Sequence, residues 1–227
     1  RGTANLENWL SNNIRLENLS LSGKPPASAS KWPLNFQIAL GFWGDETTKR
    51  GGYISLRAKV LDVISDFDSG KDLLILGHSL GGAFAAFTAI DAIYTKGMDK
   101  ASVHTFTFNP PRSVSTAVAE DLGDTNHTTL VNDKDVVHLL PPKNKGFCHL
   151  GRVIMNNTSI AGNRIVIDSI SSCGPATGIS KYPTQWGSLL HPKQILAEHV
   201  FSVFGSNSST TKPAYLTTSV SNTCPLG

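Results

Sequence analysis

Apolar residues recur along this chain with two different periods. Leu6, Trp9 and Leu10 fall three and four apart among polar neighbours, which predicts a short amphipathic helix near the start. Residues 22–33 are rich in Ser, Pro and Gly and read as loop. Between 35 and 40 the period drops to two: Phe36, Ile38 and Leu40 alternate with Asn35, Gln37 and Ala39, a strand signature. Residues 41–52 read as irregular. Leu56, Val60, Val63, Ile64 and Phe67 then return to helical spacing over 55–68, and Asp68, Ser69 and Gly70 end the run.

From there strands and helices alternate. Residues 72–77 are a continuous apolar run, as expected of a strand in the middle of a parallel sheet. An Ala-rich, charge-poor helix follows over 79–94 and stops near Gly97. A strand over 103–108 is halted by Asn109, Pro110 and Pro111. A helix over 114–122, a short strand over 128–131 and a polar loop from Asn132 to Asp135 come next. Strands over 152–155 and 164–170, joined by a polar turn near Gly162, predict an antiparallel hairpin at one edge of the sheet. A loop over 174–187 precedes a terminal helix over 192–204 and a Ser/Thr-rich, loop-like tail over 206–227. No internal repeat is visible. The alternation predicts an α/β class with a mainly parallel central sheet and helices on both faces, in one domain.

Composition narrows the partners. The 227 residues carry a net charge of +3, with 16% charged and 40% hydrophobic positions, enough for one substantial core. No basic run or aromatic–basic interleaving points to nucleic acid. No apolar run approaches the roughly 20 residues of a transmembrane helix. Three cysteines, Cys148, Cys173 and Cys224, form no C-x-x-C pair, so nothing suggests a metal site or a redox dithiol. Sequons begin at Asn18, Asn126, Asn156, Asn157 and Asn207, and with the cysteines they point to a secreted chain.

The chemistry centres on Gly77-His78-Ser79-Leu80-Gly81-Gly82. It fits G-x-S-x-G between a predicted strand and a predicted helix, the setting of a nucleophile elbow. Gly77 and Gly81 would let strand and helix approach, with Gly82 and Ala83 keeping the helix near the sheet. The alternative is a Gly-rich turn whose serine caps a helix. A serine hydroxyl needs a base, and the base an orienting acid. In parallel-sheet hydrolases these follow as acid, then His, at the C-terminal ends of strands. Asp135 follows the 128–131 strand, with Asp133 as its competitor. Of seven histidines, His199 sits late in the order among apolar neighbours and stands ahead of His191 and His149. The N–H of Leu80, directly after the serine, is one candidate oxyanion donor.

These residues, together with Arg1-Gly2-Thr3, Asn8-Trp9-Leu10, Gly41-Phe42, Phe108 to Arg112, Asp133 to Pro142, Gly146 to Gly151 and His199 to Phe204, resemble the class 3 lipase family of α/β-hydrolases. The resemblance runs from Arg1 to about Phe204. It implies Ser79 as nucleophile, Asp135 as acid and His199 as base, and it places the second oxyanion donor at Thr3. The helix carrying Leu6, Trp9 and Leu10 then matches the family's lid. No metal or organic cofactor is implied. The implied substrate is a lipid or other ester at an oil–water interface, most simply an acylglycerol. A phospholipase A1, a feruloyl-type esterase or a non-catalytic lipid-binding relative are the alternatives on this scaffold.

The chain departs from the family pattern at three places. Asn109 stands where a glycine is usual, and Arg152 where an acidic residue is frequent. At Arg1 the family has an apolar strand running into Arg-Gly-Thr. The expectation is therefore a domain lacking its first strands. Cys148 with Cys173, leaving Cys224 for an upstream partner, is one of the pairings that three cysteines permit.

Overall fold

A computed structural model describes residues 20–67, 70–123, 126–132, 135, 137–141, 145–156, 169, 170 and 173. The expected helix with Leu6, Trp9 and Leu10, Thr3, Asp133, the expected 192–204 helix with His199, and the expected 206–227 tail lie outside the described residues.

The sheet follows the alternation read from the sequence. Strands β1 (Leu73–His78), β2 (Val103–Phe108), β4 (His127–Asn132) and β6 (Arg152–Asn156) are parallel neighbours in that order. Strand β7 (Ser169–Ile170) closes the described sheet antiparallel to β6, as the expected hairpin requires. Strands β3 (Val114–Ser115) and β5 (Phe147–Cys148) form a separate antiparallel ribbon. A disulfide joins Cys148 to Cys173. Among the described residues β1 ends the sheet rather than lying in its middle, and Leu74 and Leu76 are exposed there.

Helices α1 (Leu40–Trp43), α2 (Ile54–Ser65), α3 (Leu80–Ile90) and α4 (Thr116–Leu122) complete the described frame. Helix α3 is packed on β1 and β2. It buries Ala83, Ala86, Phe87, Ala89 and Ile90, and its small side chains let the helix lie close to the sheet. Phe87 meets Trp43 edge-on at 5.6 Å, and Trp43 meets Trp32 at 5.4 Å, so residues 32–43 wrap the helix with aromatic rings. Within the sheet, facing positions of β2 and β4 pair polar groups that are buried: Thr107 Oγ1 with Thr129 Oγ1 at 2.9 Å, and Thr105 Oγ1 with His127 Nδ1 at 3.1 Å.

Four local expectations need correction. Residues 35–40 are not a strand. Ile38 and Ala39 make only isolated bridges to Val114 and Leu21, and the chain turns into α1. The reason is that Ile38, Ala39, Phe42 and Trp43 are all buried, which a strand exposed on one face cannot achieve. The 41–52 stretch is ordered by α1 and by a turn in which Asp45 Oδ1 accepts from the N–H groups of Thr47 and Thr48 at 2.7 and 3.1 Å. In α2 the inward face is Ile54, Arg57 and Ile64, while Leu56 and Val63 are exposed, because a buried carboxylate, Asp91, draws Arg57 inwards. The 79–94 helix is α only to Ile90 and continues as a π turn, Asp91–Thr95. In a smaller adjustment, Val114 and Ser115 are strand and α4 starts at Thr116.

Candidate active site

Ser79 sits where β1 meets α3, with φ 58° and ψ −129°, outside both helix and strand. A non-glycine side chain at positive φ is strained by the order of 1–3 kcal/mol. The surroundings hold it there. The Ser79 N–H donates to Phe108 O at 3.0 Å, extending the β1–β2 pairing, while Ser79 O accepts from Gly82 N–H at 2.9 Å and closes the first turn of α3. The turn is tight because the backbone is in contact with itself. A Cβ on Gly77 would lie 2.3 Å from Gly81 O, and one on Gly82 would lie 2.6 Å from Pro110 Cβ. Gly81 is different from expectation: a Cβ there would meet nothing within 4 Å, and its part in the close approach is its carbonyl. This is the elbow, not a capping turn, since no Ser79 side-chain bond caps α3. Leu80 is the first residue of α3, and a first-turn N–H has no intrahelical acceptor and lies at the positive end of the helix dipole.

Asp135 lies just past the C-terminal end of β4, the same end of the sheet as Ser79. It is completely buried. Its N–H donates to Asn132 O at 3.1 Å and its Oδ1 accepts from Val137 N–H at 2.8 Å, so the loop bends back and presents the carboxylate rather than solvating it. Only β2 separates β1 from β4, so the strands bearing Ser79 and Asp135 are two strand spacings apart, about 10 Å. An imidazole between the two side chains spans such a gap.

Several histidines are placed elsewhere. His104 is the second residue of β2 and His127 the first of β4, both at the end of the sheet away from Ser79. His127 is buried, and burial first, then the nearby His104, pushes its pKa down to about 4. His149 is buried with its Nε2–H on His138 O at 2.9 Å. His199, His191 and Thr3 lie outside the described residues.

Two residues near the site were not singled out by chemistry in the sequence. Asn109, at the end of β2, has φ 45° and is buried; its N–H donates to Leu130 O at 2.7 Å and its Oδ1 accepts from Asn132 N–H at 2.8 Å. It therefore ties β2 to the strand end that leads to Asp135. The signal was present: Asn is the residue that most readily replaces glycine at positive φ. Arg112 is the other, a buried cation three residues on; it closes the Phe108 to Arg112 segment that carries the family resemblance, but nothing in the sequence shows what it holds.

A parallel sheet, a serine on a strained strand–helix turn and a buried acid at the same end of the sheet two strands away define an α/β-hydrolase fold. The family model for class 3 lipases matches residues 1–145, and the chain belongs to that family. A lipase of Rhizomucor miehei is 31% identical over 154 residues, which cover 66% of this chain and 39% of the relative. A secreted mono- and diacylglycerol lipase of Malassezia restricta is 32% identical over 114 residues, 47% of this chain and 37% of that one. A solved triacylglycerol lipase, described as having a serine protease triad as its catalytic centre, superposes with a TM-score of 0.52 at 25% identity, covering 69% of this chain and 55% of that chain. The chain thus spans about two fifths of the length of the curated relatives it matches. No described helix is long and apolar enough to cross a membrane.

Proposed function

We propose that this chain carries the catalytic elbow of a secreted carboxylic ester hydrolase acting on acylglycerols. The observation that carries the reading is the conjunction of Ser79 at φ 58° on the elbow with the buried Asp135 at the parallel strand end two strands away. Ser79 Oγ attacks the ester carbonyl as His199 takes its proton. Asp135 orients the imidazole and stabilises its charged form. The N–H groups of Leu80 and Thr3 receive the oxyanion, the alcohol leaves with the proton from His199, and water then cleaves the acyl-enzyme by the same route. Leu6, Trp9 and Leu10 form a lid that turns its apolar face to the lipid surface. The mono- and diacylglycerol lipase of Malassezia and the structurally similar triacylglycerol lipase support an acylglycerol over other esters, and the secreted relative supports the sequon-based reading of an extracellular chain.

A serine-reactive organophosphate tests the nucleophile: one covalent label on Ser79 is expected, and no label there sinks the hydrolase reading. His199→Ala is expected to lower turnover roughly 10⁴- to 10⁶-fold, read on a short-chain ester. Near-normal turnover in that variant would remove His199 as the base.

A further inference from the structure

Asp135 belongs to a loop whose described residues 138–141 are held at their carbonyls from outside. Four consecutive carbonyls, those of His138, Leu139, Leu140 and Pro141, all accept from two residues. Arg112 Nη1 donates to Leu139 O, and to Pro141 O at 3.1 Å. The Arg112 backbone N–H donates to Leu140 O at 2.7 Å. His149 Nε2 donates to His138 O at 2.9 Å. The same loop is closed internally by Leu140 N–H on Val137 O at 3.0 Å, and Val137 N–H is the donor to Asp135 Oδ1 at 2.8 Å.

Both donors stand on one rigid base. Arg112 and His149 flank the β3–β5 ribbon, where Val114 pairs with Cys148 and Ser113 N–H donates to Cys148 O at 3.1 Å. Cys148 is also fixed by its disulfide to Cys173. Both side chains are buried. Burial pushes the Arg112 guanidinium down to about 10, so it remains charged at neutral pH, and charged donors form the stronger hydrogen bonds. Burial, and then the Arg112 charge, hold His149 far below the usual imidazole range. The neutral ring has a single N–H, and the bond to His138 O places it on Nε2. Its Nδ1 is buried with no hydrogen-bond partner among the described residues. A buried cation and a half-satisfied imidazole are costly ways to fill space. What they accomplish together is to fix the path of residues 138–141.

We propose that Arg112 and His149 are positioning residues for Asp135, clamping the acid loop to the β3–β5 ribbon so that the carboxylate stays within reach of the base. The clamp rests on the reading of Asp135 as the triad acid. A displacement of about 1 Å in a catalytic group costs up to about 100-fold in rate, so a loop released at the carbonyls these two side chains hold, those of His138, Leu139 and Pro141, loses turnover without losing its substrate site.

The test uses Arg112→Gln, His149→Phe and His149→Gln, each alone and each combined with Asp135→Asn, with turnover expressed per organophosphate-reactive serine. In Arg112→Gln kcat is expected to fall about 10- to 100-fold with KM changed by less than about twofold. The acid limb of the pH–kcat/KM profile is expected to move to lower pH, because an imidazole that loses its carboxylate partner loses proton affinity. His149→Phe shows the same signature with a smaller loss, and His149→Gln, which restores an N–H donor, recovers most of it. Combined with Asp135→Asn, no clamp variant should lose more than Asp135→Asn alone. Losses that multiply overturn the clamp, as does a lowered unfolding midpoint with unchanged turnover and pH profile. If Arg112→Gln does not fold, the two His149 variants carry the cycle, and failure of Gln to outperform Phe overturns the proposal. Full turnover in Asp135→Asn itself is a separate outcome that sinks the triad assignment, and the clamp with it.

Discussion

Asn109 shows how one side chain does the work of a glycine and adds something. Its φ of 45° is a conformation in which a Cβ costs about 1–2 kcal/mol for an ordinary residue. Its Oδ1 also satisfies the buried Asn132 N–H at 2.8 Å. These two effects separate by substitution. Asn109→Gly relieves the backbone but leaves the Asn132 N–H without its acceptor, and is expected to lose about 1–3 kcal/mol. Asn109→Ala loses the same bond and adds roughly 1 kcal/mol of strain. Urea unfolding midpoints check the order Asn, Gly, Ala. A glycine variant as stable as the parent would show that the side-chain bond contributes nothing. The residue was visible in the sequence as a departure from a family glycine. Its bridging role was not, since the partner lies in a strand that only the folded sheet brings alongside.

At the scale of elements, the period of the hydrophobic pattern located the main strands and helices, because strand and helix each impose their own spacing on buried positions. It failed where a tertiary contact overrode the spacing. The clearest case is the end of α3. Asp91 is fully buried and accepts from Arg57 Nε at 2.8 Å, Arg57 Nη2 at 2.7 Å, Trp32 Nε1 at 3.0 Å, Tyr53 Oη at 3.0 Å and Thr95 Oγ1 at 2.7 Å. Arg57 also donates from Nη1 to Ser28 O at 2.8 Å. Burial and the Asp91 charge hold the Tyr53 phenol well above its ordinary range, so it stays a donor. This one carboxylate ties residues 28–57 to the helix that follows the elbow, and the helix widens into its π turn at this position. A sequence reader sees only a lone acid on an Ala-rich helix. Asp91→Ala leaves the Arg57 guanidinium buried with its ion pair gone, and is expected to cost about 3–5 kcal/mol in chemical unfolding. A loss under about 1 kcal/mol would mean that Arg57 swings to solvent and that the network is no more than a surface ion pair.

For the whole molecule, the placing of Ser79 and Asp135 was legible because their order along the chain follows from the direction of a parallel sheet: the proposed nucleophile and the proposed acid each follow a strand. The parts that were not legible are buried polar groups whose partners are remote in sequence, and these set how stability responds to acid. His127, unlike an exposed histidine, is buried in β4 with a pKa of about 4 against an ordinary 6.5. The folded chain therefore binds fewer protons than the unfolded chain between these values, so stability is full above about pH 6.5 and declines as the pH falls towards 4. The slope is at most about 1.4 kcal/mol per pH unit for one such group. His149, whose pKa is also depressed by burial, adds to it in the same direction. Carboxylates act lower down: the N–H groups of Thr48 and Thr47 lower Asp45 from its ordinary 3.8, so its contribution is lost only below that value. The two windows can be read apart. His127→Asn keeps a polar group facing Thr105 Oγ1 but cannot take a proton. Urea unfolding of parent and variant at intervals from pH 7.5 to 4.5 should give curves that diverge as the pH falls, the variant losing less stability per unit. Parallel curves would show that His127 charges without penalty in the folded state, and would shift the origin of acid sensitivity to the His149 side of the molecule.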